Sequence, residues 1–137
     1  MQVPIFLAAD FANKGDHGKV NVLGIFNVIY ASNFPAKHKS LYIVMRVGLE
    51  YGEFDVDHDI KVLFIDEDGK ELGKQEGKLS VPRPEKGGEL YADLILPIDN
   101  LILEKPGRYE FRLIINRESK RTIPIDVIQI NSDTTRD

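Results

Sequence analysis

The sequence predicts an all-β fold, an antiparallel β-sandwich of about eight strands. Three observations carry this. Apolar residues recur at every second position in several runs, as in Leu41, Ile43, Met45, Val47 and Leu49, which places one set of side chains on a buried sheet face. β-branched and aromatic residues fill those runs, and no window of a dozen residues carries a helical stripe. Turn residues then interrupt the chain at short intervals: Asn13-Lys14-Gly15, Asn33-Phe34-Pro35, Asp68-Gly69, Pro84 to Gly88 and Pro106-Gly107.

The elements follow in order. Strands are expected at 4–10, 19–31, 40–50, 59–66, 70–80, 90–98, 107–116 and 120–129. Residues 19–31 are apolar on both parities, with Val20, Val22, Phe26 and Val28 on one and Leu23, Ile25 and Ile29 on the other. That reads as a central strand, bent at Gly24, with one face on the core and the other under a loop or a partner chain. "FIDEDGKEL", residues 64–72, reads as a hairpin. A loop closed by a left-handed Gly69 pairs Asp66 with Lys70 and Phe64 with Leu72, and it keeps Leu72 on the face of Ile60, Val62 and Phe64. Apolar parity then changes before Leu79, which asks for a bulge at Gly73 or Gly77. Tyr109, Phe111, Leu113 and Ile115 define the most regular strand. Pro124 cannot donate to a ladder, so 120–129 is placed at an edge. Ile43, Met45, Phe111 and Leu113 belong to the expected interior.

Leu103, Pro106, Gly107 and Tyr109 stand in the order of a tyrosine corner, where a tyrosine hydroxyl bonds back to upstream backbone and pins a chain crossing. This gives the sandwich an immunoglobulin-like pattern. The 137 residues suit one domain spanning 1–137, with 131–137 expected to fray. Such a chain buries enough surface to fold without a metal or disulfide.

The chain also resembles a bacterial family of uncharacterised all-β domains. The resemblance rests on "ADFANKGDHGKVNVLGIFNVIYA", "IDEDGKEL" and "PGRYEFRLIIN", and covers about residues 4–127. It implies a sandwich-like cytoplasmic domain with no established activity, and it supplies no catalytic residue.

Composition narrows the function. The net charge is −4, from 18 basic and 22 acidic residues, with no basic stripe for nucleic acid. No cysteine is present, which removes thiolate nucleophiles and cysteine-ligated metals and fits a reducing compartment. No run approaches the length that spans a bilayer, and the first residues lack a secretory pattern. The expectation is a cytoplasmic protein with no nucleic-acid or membrane partner and no cofactor.

The acidic stretch 53–60, "EFDVDHDI", offers Asp55, Asp57, His58 and Asp59 as a weak metal candidate. Calcium loops space aspartates this way, but Ile60 stands where a glycine should turn the chain. A solvated acidic loop is the plainer reading. "NKGDHGKVN", residues 13–21, has two glycines beside Asp16, His17 and Lys19, but a strand follows where a phosphate loop needs a helix. His17, His38 and His58 all fall in expected loops (13–19, 33–39 and 52–59), which would have to converge to form a site. "NRESKR", residues 116–121, reads as a charged hairpin turn. No serine has a nucleophile-elbow context.

The favoured function is therefore a non-catalytic protein-binding or assembly module, acting on a protein partner or on itself through edge strands. A small-ligand or carbohydrate binder is the alternative, using Tyr30, Phe34, Tyr42, Tyr51 or Tyr91, though the absence of tryptophan weakens sugar stacking. A metal-dependent hydrolase centred on the 55–59 loop is a third reading.

Overall fold

The computed structural model describes residues 1–85 and 90–131. Nine strands are present: β1 (Gln2–Lys14), β2 (Val20–Phe26), β3 (Val28–Ala31), β4 (Ala36–Gly48), β5 (His58–Ile65), β6 (Glu71–Leu79), β7 (Tyr91–Leu103), β8 (Gly107–Ile115) and β9 (Glu118–Gln129). Two single 3₁₀ turns, Asp16–Gly18 and Tyr51–Glu53, complete the elements, and no α-helix occurs among the described residues. The strands form two sheets, β2-β1-β4-β7 and β3-β9-β8-β5-β6. Their inner faces close on one core that includes Phe6, Ile43, Met45, Phe64, Phe111, Leu113 and Ile125. Ile43 and Leu113 are fully buried.

The expected strand 19–31 is two strands in different sheets. β2 pairs with β1, the chain crosses at Asn27, and β3 then runs parallel to β9 from Val28↔Asp126 to Ala31↔Gln129. The doubly apolar pattern has a simple cause. Phe26 packs on the core from one sheet and Ile29 packs on it from the other, so the inward parity changes at the crossing. β2 is consequently an edge strand rather than a central one. The parallel β3–β9 pair also makes the sandwich mixed instead of wholly antiparallel.

The β5–β6 hairpin differs from expectation at one residue. The Asp66 N–H donates to the Lys70 carbonyl at 2.9 Å, and the Gly69 N–H to the Asp66 carbonyl at 3.0 Å, with Gly69 at φ +82. Beyond this loop Ile65 pairs with Glu71 and Phe64 with Gly73. Leu72 therefore sits in the bulge, exposed, and not opposite Phe64. The parity change is absorbed at Leu72, one residue ahead of Gly73.

Pro124 lies in β9, which has β8 on one side and β3 on the other. β9 is thus interior in strand order. Pro124 pairs with Glu110, whereas β3 pairing begins only at Asp126, so the side of the strand without an N–H meets no ladder there. The turn at 84–88 and the expected fraying of 131–137 fall mostly outside the described residues; within them, Asn131 is exposed. No described helix is long and apolar enough to cross a membrane.

At the β7–β8 corner the Tyr109 hydroxyl donates to the Lys105 carbonyl at 2.6 Å, and its ring stacks on Phe64 at 5.3 Å. Leu103 is fully buried. Gly107 sits at φ +149, where a Cβ would meet Glu67 Oε1 at 3.0 Å, so only glycine fits this corner comfortably.

Candidate functional site

Two surface features stand apart from the core, and both belong to the β1–β2 hairpin. The first is its direction. Ile5 pairs with Arg46 and Ala9 with Tyr42, and the β1–β4 ladder ends there. A straight β1 would carry Lys14 about 30 Å beyond Ile5. Instead Lys14 lies near Asp93, the cross-strand partner of Arg46, and lines a cavity with both. The hairpin therefore folds back over β4 and β7. Phe11 stands edge-on to Tyr42 at 5.5 Å, and Ala12 is buried. The bend falls where the β1–β2 pairing skips Asp10 and Gly24. Gly24 has φ +73, and a Cβ there would lie 2.5 Å from Asp10 Oδ2.

Folding back leaves β2 with β1 as its sole ladder partner among the described residues. Val20–Phe26, "VNVLGIF", contains neither a charge nor a proline. Cross-strand pairing sets Leu23 beside Phe11 and Ile25 beside Ala9. Leu23 and Ile25 are each 66% exposed and Phe11 is 44% exposed. The other three sheet edges are protected. β3 has only four residues, β6 carries Glu71, Lys74, Glu76 and Lys78, and β7 carries Asp93, Pro97 and Asp99. Short length, charge and proline are the usual devices against edge pairing.

The second feature is the cavity under the hairpin tip, of about 470 Å³. Lys14, His17, Gly18 and Lys19 form its roof, and Arg46, Tyr91, Asp93, Leu79 and Leu94 its floor and walls. Arg46 engages Asp93 with two parallel hydrogen bonds, Nε to Oδ1 at 2.7 Å and Nη2 to Oδ2 at 2.9 Å. These bonds hold the Asp93 carboxyl below the usual carboxylate range against the opposing effect of burial, and the charges of Arg46 and Lys14 add to them. The Arg46 guanidinium also lies 5.5 Å from the Tyr91 ring centre. The tip itself is braced by Asn21, whose Nδ2 donates to Asn13 Oδ1 at 3.1 Å. Gly15 packs beneath it, and a Cβ there would come within 2.7 Å of that nitrogen and push the Asn21 side chain aside.

The acidic stretch is scattered. Asp55 sits in a left-handed turn at φ +60 and accepts the Arg83 N–H at 3.2 Å. Asp59 pairs with Lys78 at 3.0 Å, a bond that lowers its carboxyl. His58 opens β5 rather than lying in a loop, and its ring is buried. Nε2 lies 2.7 Å from the Glu53 carbonyl, which can only accept, so Nε2 carries the proton. Nδ1 then accepts from Asn116 Nδ2 at 2.9 Å, while Asn116 Oδ1 accepts the Asp59 N–H at 2.9 Å. Both ring nitrogens are thus engaged. Glu53 continues this network: burial pushes its carboxyl up, but the Glu50 N–H and the Met1 ammonium, 3.2 Å away, bring it below its usual value. Asp57 adds no partner to this set. Among the described residues no group of three or more His, Asp or Glu side chains could hold a metal.

The three histidines occupy separate places. His17 lines the hairpin-tip cavity, and His58 belongs to the buried network. His38 lies within β4, not in a loop, about 26 Å along the strand from Arg46. It packs against Phe26 at 5.7 Å. Burial lowers its pKa, and the Asp10 charge partly opposes that. The aromatics do not form one platform. Phe34 packs on the core, Tyr42 meets Phe11, Tyr51 meets Arg83, and Tyr91 meets Arg46.

These features define a two-sheet β-sandwich with an unprotected edge at β2 and a cavity beneath the β1–β2 hairpin tip. Residues 4–128 match the model of a family of unknown function, DUF6941, and the chain belongs to that family. No curated protein matches it.

Proposed function

We propose that this domain is a non-catalytic assembly module that pairs with a second copy of itself through β2. The observation that supports this reading is the uncharged β2 edge, flanked by exposed Leu23 and Ile25. A second copy is the occupant that best suits it. Two antiparallel β2 strands related by a two-fold axis centred on Leu23 present the same groups to each other, the self-complementary arrangement of an isologous interface. Seven residues without charge bring no like-charge repulsion into that contact. The net charge of −4 on each copy is screened over roughly 8 Å at physiological salt. The lack of cysteine supports a reducing, cytoplasmic setting for this assembly.

Light scattering coupled to size exclusion, over a wide concentration series, tests the proposal. The wild-type chain should reach the mass of a dimer, and Leu23→Lys with Ile25→Lys should stay monomeric with an unchanged circular dichroism spectrum. A wild-type monomer at every concentration overturns it. So does a double-lysine variant that dimerises as well as the parent.

A further inference from the structure

We propose that the cavity beneath the β1–β2 hairpin tip binds a small-molecule phosphate ester. The argument begins with charge. In a chain that is acidic overall, three cationic side chains, Lys14, Lys19 and Arg46, meet a single carboxylate, Asp93, around one cavity. That carboxylate is already committed to Arg46 by two short hydrogen bonds. Lys61, Lys74 and Lys78 each have a carboxylate partner, whereas among the described residues neither Lys14 nor Lys19 has one within ion-pair distance. The two lysines stand at opposite ends of the same turn, Lys14 closing β1 and Lys19 preceding β2. Asp16 belongs to this turn but does not line the cavity.

Geometry supports the same ligand. The turn is held in an uncommon conformation, with His17 at φ +59 and Gly18 at φ +72. Histidine is one of the residue types that tolerates the left-handed region, and here it closes the turn together with Gly18. Here the Gly15 N–H donates to the Lys19 carbonyl at 2.7 Å, clamping the two lysine-bearing ends together. The fold-back then lays this clamped turn over β7.

The volume and the walls specify the rest of the ligand. About 470 Å³ is in the range of small-molecule sites, and a bare phosphate would leave most of it unfilled. Tyr91, half exposed, lines the cavity with Leu79 and Leu94. A phosphate held by Lys14 and Lys19 leaves its ester group against this ring and the two leucines. The assignment stands on the tip cavity alone and does not depend on self-association through the β2 edge.

Phenyl phosphate is the probe, with inorganic phosphate and potassium chloride at matched ionic strength as comparisons, read by titration calorimetry and thermal shift. Phenyl phosphate should bind saturably and at least tenfold more tightly than inorganic phosphate. Lys14→Gln with Lys19→Gln should lose at least tenfold in affinity for both, with the melting temperature of the unliganded protein unchanged. Tyr91→Ala should remove most of the preference for the ester, weakening phenyl phosphate several-fold more than inorganic phosphate. Stabilisation equal to that of chloride overturns the proposal, as does undiminished binding by the double glutamine variant. Equal affinity for phosphate and its phenyl ester overturns the assignment of the organic group to Tyr91.

Discussion

Replacing Asn116 tests the network that fastens the start of β5 to the β8–β9 turn. Its side chain donates to His58 Nδ1 and accepts the Asp59 N–H, both at 2.9 Å, while its backbone holds φ +50. Each hydrogen bond contributes about 1 kcal/mol net, and the loss from a buried ring can cost more because the freed nitrogen has no water to turn to. Alanine in the left-handed region adds about 1 kcal/mol of strain. Asn116→Ala should therefore cost about 3 kcal/mol and lower the melting temperature by roughly 10 °C. Asn116→Gly loses the same bonds without the backbone strain, so it should cost about 2 kcal/mol. Urea melts followed by circular dichroism give both values, with an unchanged slope as the check on two-state behaviour. A double-mutant cycle with His58→Ala should show that the two losses overlap. Equal costs for alanine and glycine would refute the backbone part of this reasoning. A cost below about 0.5 kcal/mol for both, the level of an ordinary surface change, would refute the network itself.

Three further outcomes follow from the fold. Tyr109→Phe keeps the stack on Phe64 and removes the bond to Lys105, so urea melts should register a loss of about 1 kcal/mol. Gly77 pairs with Ile60 on the core-facing side of β6, beside an apolar crevice of about 160 Å³ lined by Met45, Val62, Leu94 and Leu96. Nothing lies within 4 Å of a Cβ placed there, so Gly77→Val should stabilise the protein by about 1 kcal/mol in the same assay. His38 has a folded pKa below its unfolded value of 6.5, so the unfolded state binds more protons as pH falls through 6.5 and stability declines towards the lower folded value. Thermal melts across that window should show a smaller decline for His38→Gln than for the wild type.

Much of the sandwich was legible in the residues. The alternation at 41–49 and 109–115 marked β4 and β8 because each has one face on the shared core, and period two is the direct trace of that geometry. The Gly69 loop was legible because a left-handed glycine has a local cause. What escaped depends on contacts distant in sequence. A sheet switch at Asn27 looks like a continuous strand, since both halves are equally apolar and parity alone cannot say which sheet receives them. The position of β9 beside β3 depends on a parallel pairing between residues nearly a hundred positions apart. The tip cavity was half visible. Lys14, His17 and Lys19 stood together in the sequence and Tyr91 stood among the aromatic candidates for a ligand, while Arg46 and Asp93 were hidden in strands that read as framework. One signal was present: Arg46 and Asp93 are charges of opposite sign inside otherwise apolar runs, as cross-strand partners would be.

The crossing at Asn27 also governs how force passes through the molecule. A single residue separates the last pair of β2 from the first pair of β3, and its carbonyl accepts the Asp126 N–H at 2.9 Å. No slack segment lies between the layers at that point. A load applied along β2, by a strand docked beside it or by pulling on the tip, arrives at once on the parallel β3–β9 ladder.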